Sequence, residues 1–146
     1  MIIVTNQSGI GSGYYSEKEY FGLMEWMNRE LEKQGVRISA SYFCPHIPNA
    51  PVIRYRKKCN CRKPKIGMYM KAVSDFNIDV GRSWIIGDRL RDLALCRTER
   101  CKGFLVENTE NPSVIEDVKK GKIANVMYAN SLYFAANYII ISENMR

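Results

Sequence analysis

Residues 44–64, CPHIPNAPVIRYRKKCNCRKP, constrain the fold more than any other stretch of the chain. Two ligand pairs, Cys44-x-His46 and Cys59-x-Cys61, stand on either side of residues 47–58, which carry Pro48, Pro51 and the basic residues Arg54, Arg56, Lys57 and Lys58. A run this polar and proline-rich does not order itself. Three thiolates and one neutral imidazole are the donor set of a four-coordinate structural zinc, with no position left open for water. The expected role is therefore a staple that closes the loop, not a catalytic metal. Each pair is separated by one residue, where fingers and ribbons usually use about two to four, so the site argues for zinc without arguing for nucleic acid.

The length of 146 residues, 46% of them hydrophobic, suits one domain, 1–146, with one core. Lys and Arg number 22 against 15 Asp and Glu, a formal charge of +7; a Cys3His zinc adds two charges and removes three thiol protons, leaving about +6. Such an excess favours an anionic ligand, a phosphorylated metabolite or a nucleic acid backbone, without choosing between them. The five cysteines are an odd number, no export signal precedes them, and no apolar run reaches the length of a membrane span. A reducing cytoplasm is the expected compartment, with Cys96 and Cys101 as small buried residues.

Taken in order, Ile2–Thr5 is β-branched and reads as a buried strand that delivers a glycine-rich loop, residues 6–13. Ser16 with Glu19 three residues on is a capping box. Tyr20, Met24, Met27 and Leu31 then recur on one helical face until Gly35 stops the helix. Ser41–Phe43 is a second strand running into the zinc loop, and a helix follows over 67–76 with Met68, Ala72 and Phe76 inward. Ser83–Ile86 is a third strand ending at Gly87-Asp88, with Leu90, Leu93 and Ala94 marking the next helix. Phe104–Val106 and Tyr138–Ile141 are expected as the fourth and fifth strands, with a helix near 113–119 between them.

Alternating strands and helices imply an α/β fold: a mostly parallel sheet, helices on both faces, ligands outside the carboxyl ends of the strands. Thr5 and Asn6 follow one strand, Asp88 follows another, and Arg62 and Lys63 arrive from the zinc loop. A hydroxyl, loop amides, an arginine, a lysine and a carboxylate able to hold magnesium are the parts of a phosphoryl-transfer site, because that chemistry needs charge stabilisation on the phosphoryl oxygens.

The segments VTNQSGIGSGYY, CPHIP, CNCRKPKIGM and WIIGDRLRD, in this order from the first residue to at least Val106, resemble the D-glycero-D-manno-heptose 1,7-bisphosphate phosphatases of the haloacid dehalogenase superfamily, in its histidinol-phosphatase-related branch. The resemblance implies a Rossmann-like domain, a magnesium-dependent phosphomonoester hydrolase, a zinc loop, and a cytoplasmic role in nucleotide-heptose and lipopolysaccharide precursor synthesis. It implies that Thr5 and Asn6 hold the transferring phosphoryl group through hydroxyl and backbone amide. Lys63 neutralises the phosphoryl oxygens, Arg62 contacts substrate and Asp88 binds magnesium. Asp92 supports the metal's water shell or orients Lys63, and Cys44, His46, Cys59 and Cys61 hold zinc. The expected partner is a phosphorylated sugar, acted on by a monomer without membrane or nucleic acid. Histidinol phosphate is the alternative substrate; Gly13-Tyr14-Tyr15 leans toward heptose. A rival of another class is a non-catalytic module whose basic loop grips RNA or an acidic partner.

Two departures stand out. Ser12 occupies a position where the heptose enzymes usually carry arginine, and the D-x-D-G-T motif that supplies the family's aspartate nucleophile is absent from these 146 residues. Asp75, Asp79 and Asp117 lie outside the strand ends and do not substitute for it. Losing a nucleophile costs on the order of a million-fold in rate. In the family the strand that bears the motif lies between those matching Ile2–Thr5 and Ser83–Ile86, so its absence should leave unpaired strand edges there. The expectation is an amino-terminally truncated or split reading frame, inactive alone, with a separate amino-terminal fragment as candidate partner.

Overall fold

The computed structural model describes residues 1–99, 101–106 and 111–145, and they divide into two compact units, Met1–Ala72 and Val73–Arg146. In the first unit, β1 (Ile2–Asn6) pairs in parallel with β2 (Ala40–Cys44), Val4 opposite Tyr42 and Asn6 opposite Cys44. The short helix α1 (Ser8–Ser12) occupies most of the expected glycine-rich loop. Helix α2 (Glu17–Lys33) starts as its capping box dictates: Ser16 Oγ accepts from the Glu19 amide, and the Glu19 carboxylate accepts from the Ser16 amide. Tyr20 on α2 is buried and Met24, one turn on, is partly buried against the same cluster, made of Ile10, Tyr20, Ala50 and Tyr55 with Tyr15, Phe43, Ile47 and Val52 around it. Half of the buried cluster thus comes from inside the zinc loop.

Helix α3 (Gly67–Phe76) buries Met68, Tyr69 and Ala72, while Phe76, expected inward, is 46% exposed at the helix end. Tyr69 takes the third inward place.

In the second unit β3 (Trp84–Gly87), β4 (Lys102–Val106) and β5 (Val126–Ala129) form a parallel sheet in the order β3-β4-β5. Side chains alternate between faces along each strand. Phe104, Trp84, Ile86, Met127 and Ala129 pack with Ala135 and Ile139 of α6 (Leu132–Asn144) on one face. Gly103 faces Leu93 and Cys96, from the 3-10 turn Leu90–Leu93 and the short helix α4 (Ala94–Thr98), on the other. Helix α5 (Pro112–Lys119) packs beside β5. The sheet of this unit is therefore covered on both faces, as a buried parallel sheet requires.

The expected strand Tyr138–Ile141 is instead the middle of α6, and the fifth strand is Val126–Ala129. A short apolar, β-branched run reads alike as buried strand or buried helix, and here the flanks decide. Ser131 caps the helix by accepting from the Phe134 amide at 3.1 Å, and Ala135 and Ile139 recur at i, i+4 toward the sheet. Trp84 Nε1 donates to Glu143 near the far end of α6, at 3.1 Å.

Every strand pairing among the described residues is parallel. Among the described residues β1 pairs only with β2 and β3 only with β4, so each has one ladder edge without a strand. No helix among the described residues is long and apolar enough to cross a membrane.

Candidate functional site

The zinc loop leaves the carboxyl end of β2 at Cys44 and returns to it in space. Its interior is ordered by a 3-10 turn at Ile53–Tyr55, a bridge between Ile47 and Arg56, and a bond from Arg56 Nε to the Ala50 carbonyl at 2.7 Å. The Cys44, Cys59 and Cys61 sulfurs and His46 Nδ1 all lie within 4.8 Å of one another. The closer pairs are Cys44 to Cys61 at 3.0 Å, His46 to Cys61 at 3.2 Å, and Cys44 to Cys59 and to His46 at 3.6 Å. A tetrahedral zinc with Zn–S of about 2.3 Å sets its sulfurs about 3.8 Å apart, so a slight expansion of this set accommodates the ion.

Burial and hydrogen bonds set the protonation of these four groups. Burial pushes the Cys44 thiol well up, and Cys61 up as well. Burial also opposes ionisation of Cys59, but hydrogen bonds from Cys61, the Arg62 amide and Cys44 hold it below the ordinary thiol value. Burial, then the Lys57 charge, hold His46 below the ordinary imidazole value, favouring the neutral form that ligates a metal. These four residues could hold a zinc ion.

Immediately after the last sulfur the chain is fastened to the end of β1. The Asn6 side-chain amide donates to the Lys63 carbonyl at 3.1 Å and accepts from the Lys63 amide at 3.0 Å, a two-way clamp on the main chain. Lys63 is 9% exposed, and its Nζ donates to the Val4 carbonyl at 2.8 Å, holding the ammonium at the β1 strand. Arg62 Nη1 donates to Ser8 Oγ at 2.7 Å and to the His46 carbonyl at 3.3 Å, tying the zinc loop to α1. Thr5 Oγ1 accepts from Gln7 Nε2 at 3.0 Å, and Gln7 Oε1 accepts from the Tyr15 hydroxyl at 2.5 Å. Thr5, Asn6, Arg62 and Lys63 therefore gather around one strand end within the first unit.

In the second unit β3 delivers Asp88 to solvent. Asp92 is only 7% exposed; its Oδ2 accepts from the Arg89 amide at 3.1 Å, and its own amide donates to the Arg89 carbonyl at 2.9 Å. A side chain at Gly87 would stand 2.5 Å from Asp92 Cβ, so glycine is needed for Asp92 to tuck beneath the strand end. Asp92 thus braces the turn that presents Asp88.

Ser8, Gln7 and Tyr15 are parts of the first cluster that spacing in the sequence does not reveal. The one available signal was Gly9, where any Cβ would overlap the Tyr15 ring.

Residues 60–133 match the HAD-hydrolase-like family model. A D-glycero-beta-D-manno-heptose-1,7-bisphosphate 7-phosphatase of Haemophilus ducreyi is 39% identical over 140 residues, 95% of this chain and 74% of the relative. That of Yersinia pestis is 41% identical over 132 residues, 90% and 68% of the two chains. The crystal structure of D,D-heptose 1,7-bisphosphate phosphatase from B. bronchiseptica, complexed with magnesium and phosphate, superposes with a TM-score of 0.78 at 27% identity, covering 97% of this chain and 74% of that one. Other curated relatives are covered to between 50% and 64% of their length. The identity and coverage of these relatives place the chain among the D-glycero-β-D-manno-heptose-1,7-bisphosphate 7-phosphatases, HAD-type hydrolases of phosphomonoesters.

Proposed function

We propose that this chain binds the phosphoryl group of D,D-heptose 1,7-bisphosphate at the carboxyl end of β1. Thr5 Oγ1 and the Asn6 amide are the neutral donors, Lys63 the buried cation, and Arg62 the contact to the rest of the substrate. Asp88 is the magnesium ligand, and Asp92 holds the turn that carries it. Magnesium, when bound, neutralises charge on the phosphoryl oxygens. Zinc on Cys44, His46, Cys59 and Cys61 takes no part in the reaction and fixes the loop from which Arg62 and Lys63 project.

One observation supports this reading above the others: both polar atoms of the Asn6 side chain are spent on the Lys63 main chain. The clamp holds the Lys63 main chain at the end of β1, and the Lys63 ammonium lies on the carbonyl of Val4, the residue before Thr5. Such placement suits a dianion and contributes electrostatic stabilisation without reorganisation. The 146 residues hold no D-x-D-G-T motif, so the proposal is binding without turnover by the chain alone.

Calorimetric titration of inorganic phosphate tests the site. Lys63→Met and Thr5→Ala should each weaken binding, by about 10-fold or more for the charged partner. Unchanged affinity in both variants would sink the reading.

A further inference from the structure

We propose that Ser8 is a positioning residue that fixes the plane of the Arg62 guanidinium and so leaves its Nε–Nη2 edge to the substrate; the proposal rests on Arg62 being a substrate contact. The direction of the bond between the two side chains is unambiguous. A guanidinium carries five N–H donors and no acceptor, so Ser8 Oγ accepts from Arg62 Nη1, at 2.7 Å. The His46 carbonyl accepts from the same nitrogen at 3.3 Å.

Nη1 has two N–H groups and meets these two acceptors. Among the described residues neither Nε nor Nη2 meets one. Nε and Nη2 form the side edge of the guanidinium, whose parallel N–H groups match a pair of oxygens on one anion. The fold thus commits one corner of the group and leaves the edge suited to bidentate binding. A single bond would hold Nη1 at a point and let the flat group swing about it; two bonds, to acceptors on different segments, fix its plane.

The separation of the two acceptors is itself fixed by packing. Ser8 opens α1, and His46 lies in the zinc loop. At Gly11 of α1 a Cβ would overlap the Pro45 carbonyl oxygen, so α1 lies directly on the chain beside His46. Ile10 is 1% exposed in the cluster it shares with Ala50 and Tyr55, and the Val52 amide donates to the Gly11 carbonyl at 3.3 Å. Alanine at position 8 would keep this packing and remove only the acceptor, and threonine would restore it. Lys63 has a separate anchor, the Val4 carbonyl. Loss of the Ser8 hydroxyl should therefore release Arg62 and spare Lys63.

The test is a double-mutant cycle on Ser8→Ala and Arg62→Met, with Ser8→Thr as the rescue. It is read by calorimetric titration of the whole chain with D,D-heptose 1,7-bisphosphate and, separately, with inorganic phosphate, while the Arg62 Nε–H resonance is followed by NMR. Ser8→Ala should weaken the bisphosphate about 3- to 10-fold, the loss of part of one hydrogen bond to a charged group. It should leave inorganic phosphate unchanged and reduce the shift that the bisphosphate produces in the Nε–H resonance. Ser8→Thr should bind as the unsubstituted chain does. In the Arg62→Met background Ser8→Ala should cost nothing further, because there is no guanidinium left to orient. Equal losses in both backgrounds, an equal loss for inorganic phosphate or in Ser8→Thr, or no loss at all while the unsubstituted chain binds the bisphosphate, overturn the positioning role alone. If the unsubstituted chain binds no bisphosphate, the substrate-site reading falls and the role of Ser8 falls with it.

Discussion

Removing zinc should unfasten the loop that carries Arg62 and Lys63, and the structure gives the scale of the effect. Ordering residues 47–58 costs about 1–2 kcal/mol per residue in backbone entropy, so about 12–24 kcal/mol for the excursion. Its apolar return comes from Tyr55 and Ala50, buried, and from Ile47 and Val52, partly buried; at about 1.5–3 kcal/mol for each large side chain this is about 5–8 kcal/mol. A structural zinc contributes about 10–16 kcal/mol, which closes the balance within a few kcal/mol. Without the ion the loop is short by about 10 kcal/mol and disorders. The assay is hydrogen exchange under reducing conditions on zinc-loaded protein, chelated protein and Cys59→Ser. The Ala50 and Tyr55 amides, bonded to the Ile47 and Val52 carbonyls at 3.2 and 3.0 Å, should be protected only in the loaded protein. Full protection in the chelated protein, or a purified chain containing no zinc, would refute the reasoning.

Asp92→Ala removes the carboxylate that receives the Arg89 amide in a buried position and should cost about 1–3 kcal/mol in a urea titration; an unchanged midpoint would place Asp92 outside the turn's support. Phe104→Ala deletes a ring that is 1% exposed and stacked against Trp84 at 5.6 Å, and should cost about 3–5 kcal/mol, read as a lowered Tm. The Ser16 amide first, and then its hydroxyl, hold the Glu19 carboxyl below its ordinary value. A depressed folded-state value means that the capping contribution is present above the unfolded value and is lost as pH falls through the folded one. Helix content of α2 should therefore decline in acid below about pH 4.5, and Glu19→Gln should remove that part of the pH dependence as measured by circular dichroism.

Elements with two agreeing signals were legible in the sequence. The capping box at Ser16 and Glu19 placed α2, and the paired Cys-x-His and Cys-x-Cys placed the metal cluster, because both are set by local covalent geometry. Helix α6 was not legible: Tyr138–Ile141 has the composition of a strand, and only Ser131 and the sheet-facing Ala135 distinguish it. The site divides in the same way. Residue types and order pointed to Thr5, Asn6, Arg62, Lys63 and Asp88, and the family resemblance to Asp92, but not to what their side chains do. That Asn6 grips the Lys63 main chain, that Asp92 folds back on Arg89, and that Tyr15 and Gln7 stand behind Thr5 are consequences of tertiary approach. Sequence spacing carries no trace of a hydrogen bond between residues 57 positions apart.

The most direct measurement is release of phosphate from D,D-heptose 1,7-bisphosphate by the zinc-loaded chain with magnesium, with binding of the same substrate measured in parallel. The account predicts binding that depends on Lys63 and no turnover above the uncatalysed rate, because no aspartate nucleophile of the family pattern is present in these residues. Hydrolysis at a rate matching the family's intact enzymes would contradict it.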